Sequence, residues 1–524
     1  MEKANEQVHA ENANQDGTNP SSFGLECKEL QGRAIQKQEH NRGYFQALRK
    51  DPWLLFWIGV MLWTLIVRGF ENQSSGSVIS IPDFKKRFGS IQDGEFFIET
   101  KWQSALSGGS NAAAIVGSCI ASYFADKVGM KPVTLAAAVL NIASVAIEFS
   151  ATSIGMFFAG KMLNFVAIGA FLNICTAYVA DLSPLAIRAS VIGFCNLSQL
   201  LGPGSLSFVP NGGFSAVALI GQIFIPESPV YLVRKGKINQ ARSVLTRLYS
   251  DPHDAEGHLE RIKMTLEEAE TQKTTAYIEC FRGTNLRRTL IAIFVFLSEP
   301  MSGLGFVSNY GALMYQYLGI GDRQSFLIQI GAQILSMSGA IVSFSVSDGI
   351  GRRPMFLAGC IGLTGLLLCM GIAGSVSTST ATRAAVGFYT MYNFFYNAGV
   401  GSNVYTIASE VPTSILRTKT LAIALSISAA VNTMWSFVAP YMFNPGYGNL
   451  KAKIGFVYGA FMLIFAVLAF FFVPETRRRT YEELDELFMN RVPTRQFRGY
   501  VTMAEQRAEE AYTAIGKLAK DAMD

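Results

Sequence analysis

"ADKVGMKP" (residues 125–132) and "SDGIGRRP" (residues 347–354) decide the fold, because the second repeats the first. In each, an acid is followed three residues later by glycine and then by basic residues: Asp126, Gly129 and Lys131, answered by Asp348, Gly351, Arg352 and Arg353. Two more signals recur in the same order. Asp181 precedes Arg188 by seven residues, as Glu410 precedes Arg417, and "PESP" at 226–229 is answered by "PETR" at 474–477. Three signals in register imply a duplicated unit.

The surrounding composition says what is duplicated. Half of the 524 residues are hydrophobic and only 16% are charged. A helix needs about 20 apolar residues to cross a hydrocarbon core about 30 Å thick. Candidate crossings fall at about 54–80, 104–125, 132–151, 154–180, 189–207, 213–225, 288–316, 324–347, 353–375, 382–409, 420–443 and 453–473. This predicts an all-α membrane protein, a 12-helix bundle of two six-helix halves. The expected divisions are a polar N-terminal segment (1–52), an N-terminal bundle (53–225), a central loop with short amphipathic helices (226–287), a C-terminal bundle (288–473) and a polar tail (474–524). Lys and Arg recur in alternate short loops, and the positive-inside rule makes those loops cytoplasmic, with both termini and the central loop on the same side. "DFKKRF" at 83–88 lies on the other side, in a longer loop.

Other classes fall away. The net charge of +5 is scattered and forms no block for nucleic acid. The seven cysteines show no close pairs and the four histidines lie outside the apolar runs, so neither a disulfide frame nor a metal site is expected. No phosphate loop or nucleophile elbow occurs, and neither an enzyme nor a cofactor is expected.

The repeat also acts as a ruler. Arg417 to Pro474 spans 57 residues, whereas Arg188 to Pro226 spans only 38. The first half is short there by nearly one crossing, so the sixth helix is expected to be truncated. Three readings are open: a shortened helix in a thinned bilayer, a single crossing that would put one half's basic loops on the wrong side, or a deletion within the sequence.

The stretches "GFENQSSGSVISIPDFKKRFG" (69–89), "ETKWQSAL" (99–106), "PESPVYLVRKGK" (226–237), "SEVPTSILRTKT" (409–420) and "PETRRRTYEELDELF" (474–488) resemble the sugar-porter branch of the major facilitator superfamily. Within it, the chain is most similar to fungal maltose/α-glucoside permeases. The resemblance covers residues about 50–490 and implies a proton-coupled importer with alternating access in a plasma membrane. Its partners would be a sugar-like small molecule, protons and the lipid bilayer. A non-transporting sugar receptor, a carrier of a non-sugar metabolite and an inactive or mispredicted permease are the alternatives.

Candidate residues follow. Asp126, Lys131, Asp181, Arg188 and Glu227 in one half, with Asp348, Arg352, Arg353, Glu410, Arg417 and Glu475 in the other, are placed to form ion pairs at helix ends that act as a cytoplasmic gate. Glu71 stands where the family usually has the acidic proton carrier, and Lys161 where it commonly has an arginine paired with that acid. Intramembrane charges of this kind mark function by default. Arg68, three residues before Glu71, is an alternative partner. For substrate, Asn196 occupies a matching amide position and Tyr405 a matching aromatic one. Glu299 and Pro300 replace a pair of amides in the seventh helix, and Ser428 stands where other sugar porters offer an amide. Asn309 and Asn432 are nearby amides able both to donate and to accept.

Overall fold

The computed structural model describes residues 51–502, apart from 93–94, 184–190, 192–193, 196, 200, 202–210, 250–251, 273–275, 377, 414, 445, 478, 480 and 498. Its membrane helices are labelled here in chain order. The first half contributes α1 (Pro52–Ser77), α2 (Ser110–Val128), α3 (Met130–Ser150), α4 (Ile154–Leu182) and α5 (Asn211–Phe224). The second contributes α6 (Gly283–Met301), α7 (Leu304–Tyr317), α8 (Asp322–Ile350), α9 (Arg352–Ala373), α10 (Ser379–Phe395), α11 (Ser402–Glu410), α12 (Arg417–Phe443) and α13 (Ile454–Phe472). Eight helical stretches among the described residues are long and apolar enough to cross a membrane. Apolar side chains lie exposed along the bundle, among them Ile115, Val116, Ile120 and Phe124 on α2 and Leu463, Ile464 and Val467 on α13. Lipid tails, not water, suit such surfaces.

The repeat is visible in atomic detail. Gly129 (φ 116°) joins α2 to α3 and Gly351 (φ 115°) joins α8 to α9. This is backbone that L side chains rarely adopt. A side chain at either glycine would also meet a carboxylate, that of Glu227 or Glu475 respectively. Each carboxylate caps the helix that follows the glycine. Glu227 Oε1 accepts from the backbone N–H of Met130 (2.9 Å) and Lys131 (3.2 Å), and Glu475 Oε1 from that of Arg352 (3.1 Å). A helix N-terminus leaves N–H groups unsatisfied and carries partial positive charge, so an acid from a distant segment pins it. The "PESP"/"PETR" pair and the Gly-basic pair are therefore two parts of one contact, made once in each half.

The sixth predicted crossing is short, as the ruler demands. α5 has 14 residues, about 21 Å at 1.5 Å per residue, against a core of about 30 Å. It packs on α1 and α3, and Gln222 Nε2, fully buried, donates to Thr64 Oγ1 at 3.0 Å. The predicted fifth crossing, 189–207, lies mostly outside the described residues. In the central segment, Ile238–Leu248 and Pro252–Gln272 are helices that bury Ala241, Leu245, Leu248 and Leu259 against each other and the first half.

The chain from α6 to α7 is interrupted. Pro300 has no N–H to give the carbonyl of Phe296, and the helix ends at Met301 before Gly303 (φ 85°) turns it into α7. Ser428 Oγ on α12 supplies the missing donor, reaching Phe296 O at 3.1 Å.

Candidate functional site: a seam and a buried charge cluster

Polar contacts between the halves gather at one end of the bundle, the end that carries the 81–99 loop. Gln73 Nε2 donates to Ser308 O (2.6 Å), Tyr310 OH to Ser107 Oγ (2.6 Å), Asn111 Nδ2 to Ser436 Oγ (2.7 Å) and Ser104 Oγ to Phe437 O (3.0 Å). Asn444 Nδ2 reaches Thr100 Oγ1 and Gln103 Oε1, both at 3.0 Å. Above them Lys85 Nζ donates to Gln316 Oε1 (2.8 Å), whose Nε2 donates to Ser80 O (2.9 Å). Glycine permits the approach: Gly76 lies on the backbone of Asn309 and Gly108 under the Phe437 ring. Apolar residues of the first half, Ile79, Phe84, Ile98 and Leu106, belong to the core of the second. The seam is shut.

At the opposite end, the basic face, the contacts that follow join the first half to the central segment or lie within the second half. Asp126 pairs with Arg234 at 2.7 Å, Asp181 accepts from Ser228 Oγ at 2.8 Å, and Arg352 pairs with Glu410 at 3.6 Å. Arg353 Nη2 donates to Phe470 O at 2.8 Å. Glu227 and Glu475, grouped with the gate from the sequence, are occupied as helix caps, and Lys131 enters through its backbone N–H. Arg417 begins α12. Arg188 lies outside the described residues, as does the side chain of Asp348 on α8. Arg234, the partner of Asp126, was missed, although it sits in the quoted "PESPVYLVRKGK" stretch.

A charge cluster is buried inside the first half. Lys161 Nζ on α4 lies 2.9 Å from Glu71 Oε2 on α1, 3.1 Å from Glu148 Oε2 on α3 and 3.1 Å from Ser74 Oγ. Lys161 is 2% and Glu71 1% exposed. Glu148 Oε1 accepts from Asn164 Nδ2 (3.0 Å), and Asn164 Oδ1 in turn accepts from Asn141 Nδ2 (2.7 Å). Arg68 turns away and donates to Gln199 Oε1. Sequence reasoning paired Glu71 with Lys161 but passed over Glu148. The signal was present: a lone carboxylate within an otherwise apolar crossing.

The remaining candidates divide by position. Tyr405 on α11 is 48% exposed. Its ring stands edge-on to Phe296 at 5.1 Å, and the charges of Glu299 and Arg68 act on it from either half. Tyr396 bonds to Glu299. Asn432 packs against Gly305, half-buried. Ser428 is buried, its hydroxyl taken by the Phe296 carbonyl, and Asn309 presents its backbone to the seam at Gly76. Asn196 lies outside the described residues. Among the described residues no group of three His, Cys, Asp or Glu side chains is placed to hold a metal ion.

Two helical halves, sealed to each other at one end, define a transporter bundle of the major facilitator type. The chain belongs to the family described as "Sugar (and other) transporter", whose sequence profile matches residues 58–203 and 206–488. It is 28% identical to a general alpha-glucoside permease of Saccharomyces cerevisiae over 486 residues, 86% of this chain and 78% of that one. It is also 28% identical to a maltose permease of the same yeast, over 91% of this chain and 84% of the relative. The fold is similar to the inward-open conformation of the xylose transporter from E. coli, with a TM-score of 0.67 and 18% identity over 83% of this chain and 99% of that one. The chain is thus a multi-pass membrane protein of a transporter family, not an enzyme.

Proposed function

We propose that the protein imports a sugar of the α-glucoside class together with protons, by alternating access across a plasma membrane, with both termini and the central segment inside. The seam carries this reading. Every cross-half polar contact described above lies at one end, the arrangement of a carrier whose cavity opens to the basic face while the outer entrance is closed. Reversal of the two ends would move the cavity from one side to the other. Glu71 would carry the proton, and Tyr405 would stack on a pyranose face. Asn432 and Asn196 would supply hydrogen bonds, while the positions of Ser428 and Asn309 suit the scaffold better than the ligand.

Glu299 and Arg68 favour a second reading. A carboxylate and a guanidinium flank Tyr405 where a neutral sugar needs neither, which suits a charged sugar derivative such as a sugar acid. Uptake of radiolabelled maltose and of a radiolabelled uronic acid into transporter-deficient cells separates them. Maltose accumulation that an uncoupler abolishes is expected. Accumulation indifferent to the uncoupler would end the symport assignment, and accumulation of the acid alone would select the second reading. If neither is taken up, sequencing the spliced transcript across codons 188–229 tests for a missing segment.

A further inference from the structure

Two carboxylates and one ammonium share a site closed to water, and this count does not balance. Burying an unpaired charge is far costlier than protonating it, so such a group neutralises instead. One of the two acids must therefore hold a proton, and the contacts distinguish them. Both oxygens of Glu148 are engaged, Oε2 by Lys161 and Oε1 by Asn164. Glu71 has Oε2 near Lys161 and Ser74, but its Oε1 is buried with no partner among the described residues. An anion spreads charge over both oxygens and needs both satisfied, whereas a neutral carboxyl tolerates one bare oxygen better.

We infer that Glu148 is the standing counter-ion of Lys161, a positioning residue that frees Glu71 to bind and release the transported proton. This rests on the proton-coupled reading and deepens it. The proton comes from water at one face, forms the O–H of the Glu71 carboxyl and returns to water at the other; no other bond changes. Lys161 stays charged throughout on Glu148. Without Glu148, Glu71 would be Lys161's sole counter-ion and would be locked as an anion. Among the described residues the charged groups facing the cluster are these three. Arg68, one turn along α1, is held by Gln199, and Arg87 near the end of α3 is held by the carbonyl of Ala151. α2 and the turn before it bring only the Ser110 hydroxyl and the Leu106 carbonyl, both bonded to Ser75, and α5 has no charged residue.

The test uses infrared spectra of the purified full chain across a pH series, where a protonated buried carboxyl shows its own C=O band. The band should be present in the wild type and lost in Glu71→Gln, which separates it from Glu299; its frequency should move in Glu71→Asp, where the protonated group itself changes, and stay in place in Glu148→Asp. In Glu148→Gln the band should be lost at the pH where the wild type shows it, since Glu71 is then the sole counter-ion of Lys161. In Glu148→Gln combined with Lys161→Met it should return at ordinary pH, because removing both charges restores the balance. Should Glu148→Gln fold poorly, Glu148→Asp, with a looser grip on Lys161, should weaken the band without moving its frequency. A band whose frequency moves in Glu148→Asp and not in Glu71→Asp would overturn the inference by making Glu148 the carrier, and so would a Glu148→Gln variant that keeps the wild-type band. Uncoupler-insensitive uptake in cells would instead sink the symport reading, independently of the spectra.

Discussion

Replacing Asn444 by alanine should loosen the shut end of the transporter by a calculable amount. Asn444 is fully buried, and its Nδ2 makes two bonds across the seam, to Thr100 and Gln103, each 3.0 Å. A neutral hydrogen bond contributes about 0.5–1.5 kcal/mol net, so the pair holds the seam by about 1–3 kcal/mol. Losing it only in the shut state multiplies the population open at that end by about 5- to 150-fold. Asn444 Oδ1 also accepts from Tyr317 OH within the second half (2.9 Å), so Tyr317→Phe is the control for that separate loss. The reporter is a cysteine at Ser80, which is fully buried at the seam and whose hydroxyl has no partner among the described residues. Its rate of modification by a membrane-impermeant thiol reagent, in a background without other reactive cysteines, follows the open population. The rate should rise by the stated factor in Asn444→Ala and little in Tyr317→Phe. An unchanged rate in Asn444→Ala would refute the assignment of this contact as part of a closing seam.

Three further outcomes are expected. Glu227→Gln and Glu475→Gln each weaken a helix cap and should each lower stability by about 0.5–2 kcal/mol, read as thermal midpoints of the purified protein; effects in one half only would contradict the duplicated contact. Ser428→Ala should cost about 1–3 kcal/mol by stranding the Phe296 carbonyl. The loss should shrink when Pro300→Ala restores an N–H to that carbonyl, and additive losses in the double variant would show that the two are unconnected. Glu71→Gln should abolish uncoupler-sensitive accumulation of the transported sugar while leaving exchange of labelled for unlabelled sugar largely intact, and unchanged accumulation would count against Glu71 as carrier.

Much of the fold was legible because a bilayer imposes a strict rule: long apolar runs separated by basic turns have few ways to fold. The duplicated Gly129 and Gly351 turns and the short α5 could be counted directly from residue spacing. What the sequence could not convey was how separate signals meet. Glu227 and Gly129 lie 98 residues apart, and nothing in either motif says that one caps the helix begun by the other. Lys161 with Glu71 was legible by resemblance, but Glu148 sat inside an apolar run and drew no attention without its neighbours in space. The fate of Ser428 depended on Pro300, 128 residues earlier, having no N–H to donate. The seam was invisible altogether, since its amides, hydroxyls and glycines are common in every membrane helix.

Reciprocal motion of the two ends is tested most directly by spin-label distances measured in one preparation. One pair, at Lys86 and Asp322, spans the end bearing the 81–99 loop; the other, at Lys235 and Met489, spans the basic face. All four side chains are exposed. Addition of the transported sugar with protons should populate a second state in which the first distance lengthens as the second shortens. Two distances that change together, or that stay fixed while transport proceeds, would contradict a pair of bundles tilting about a shared cavity.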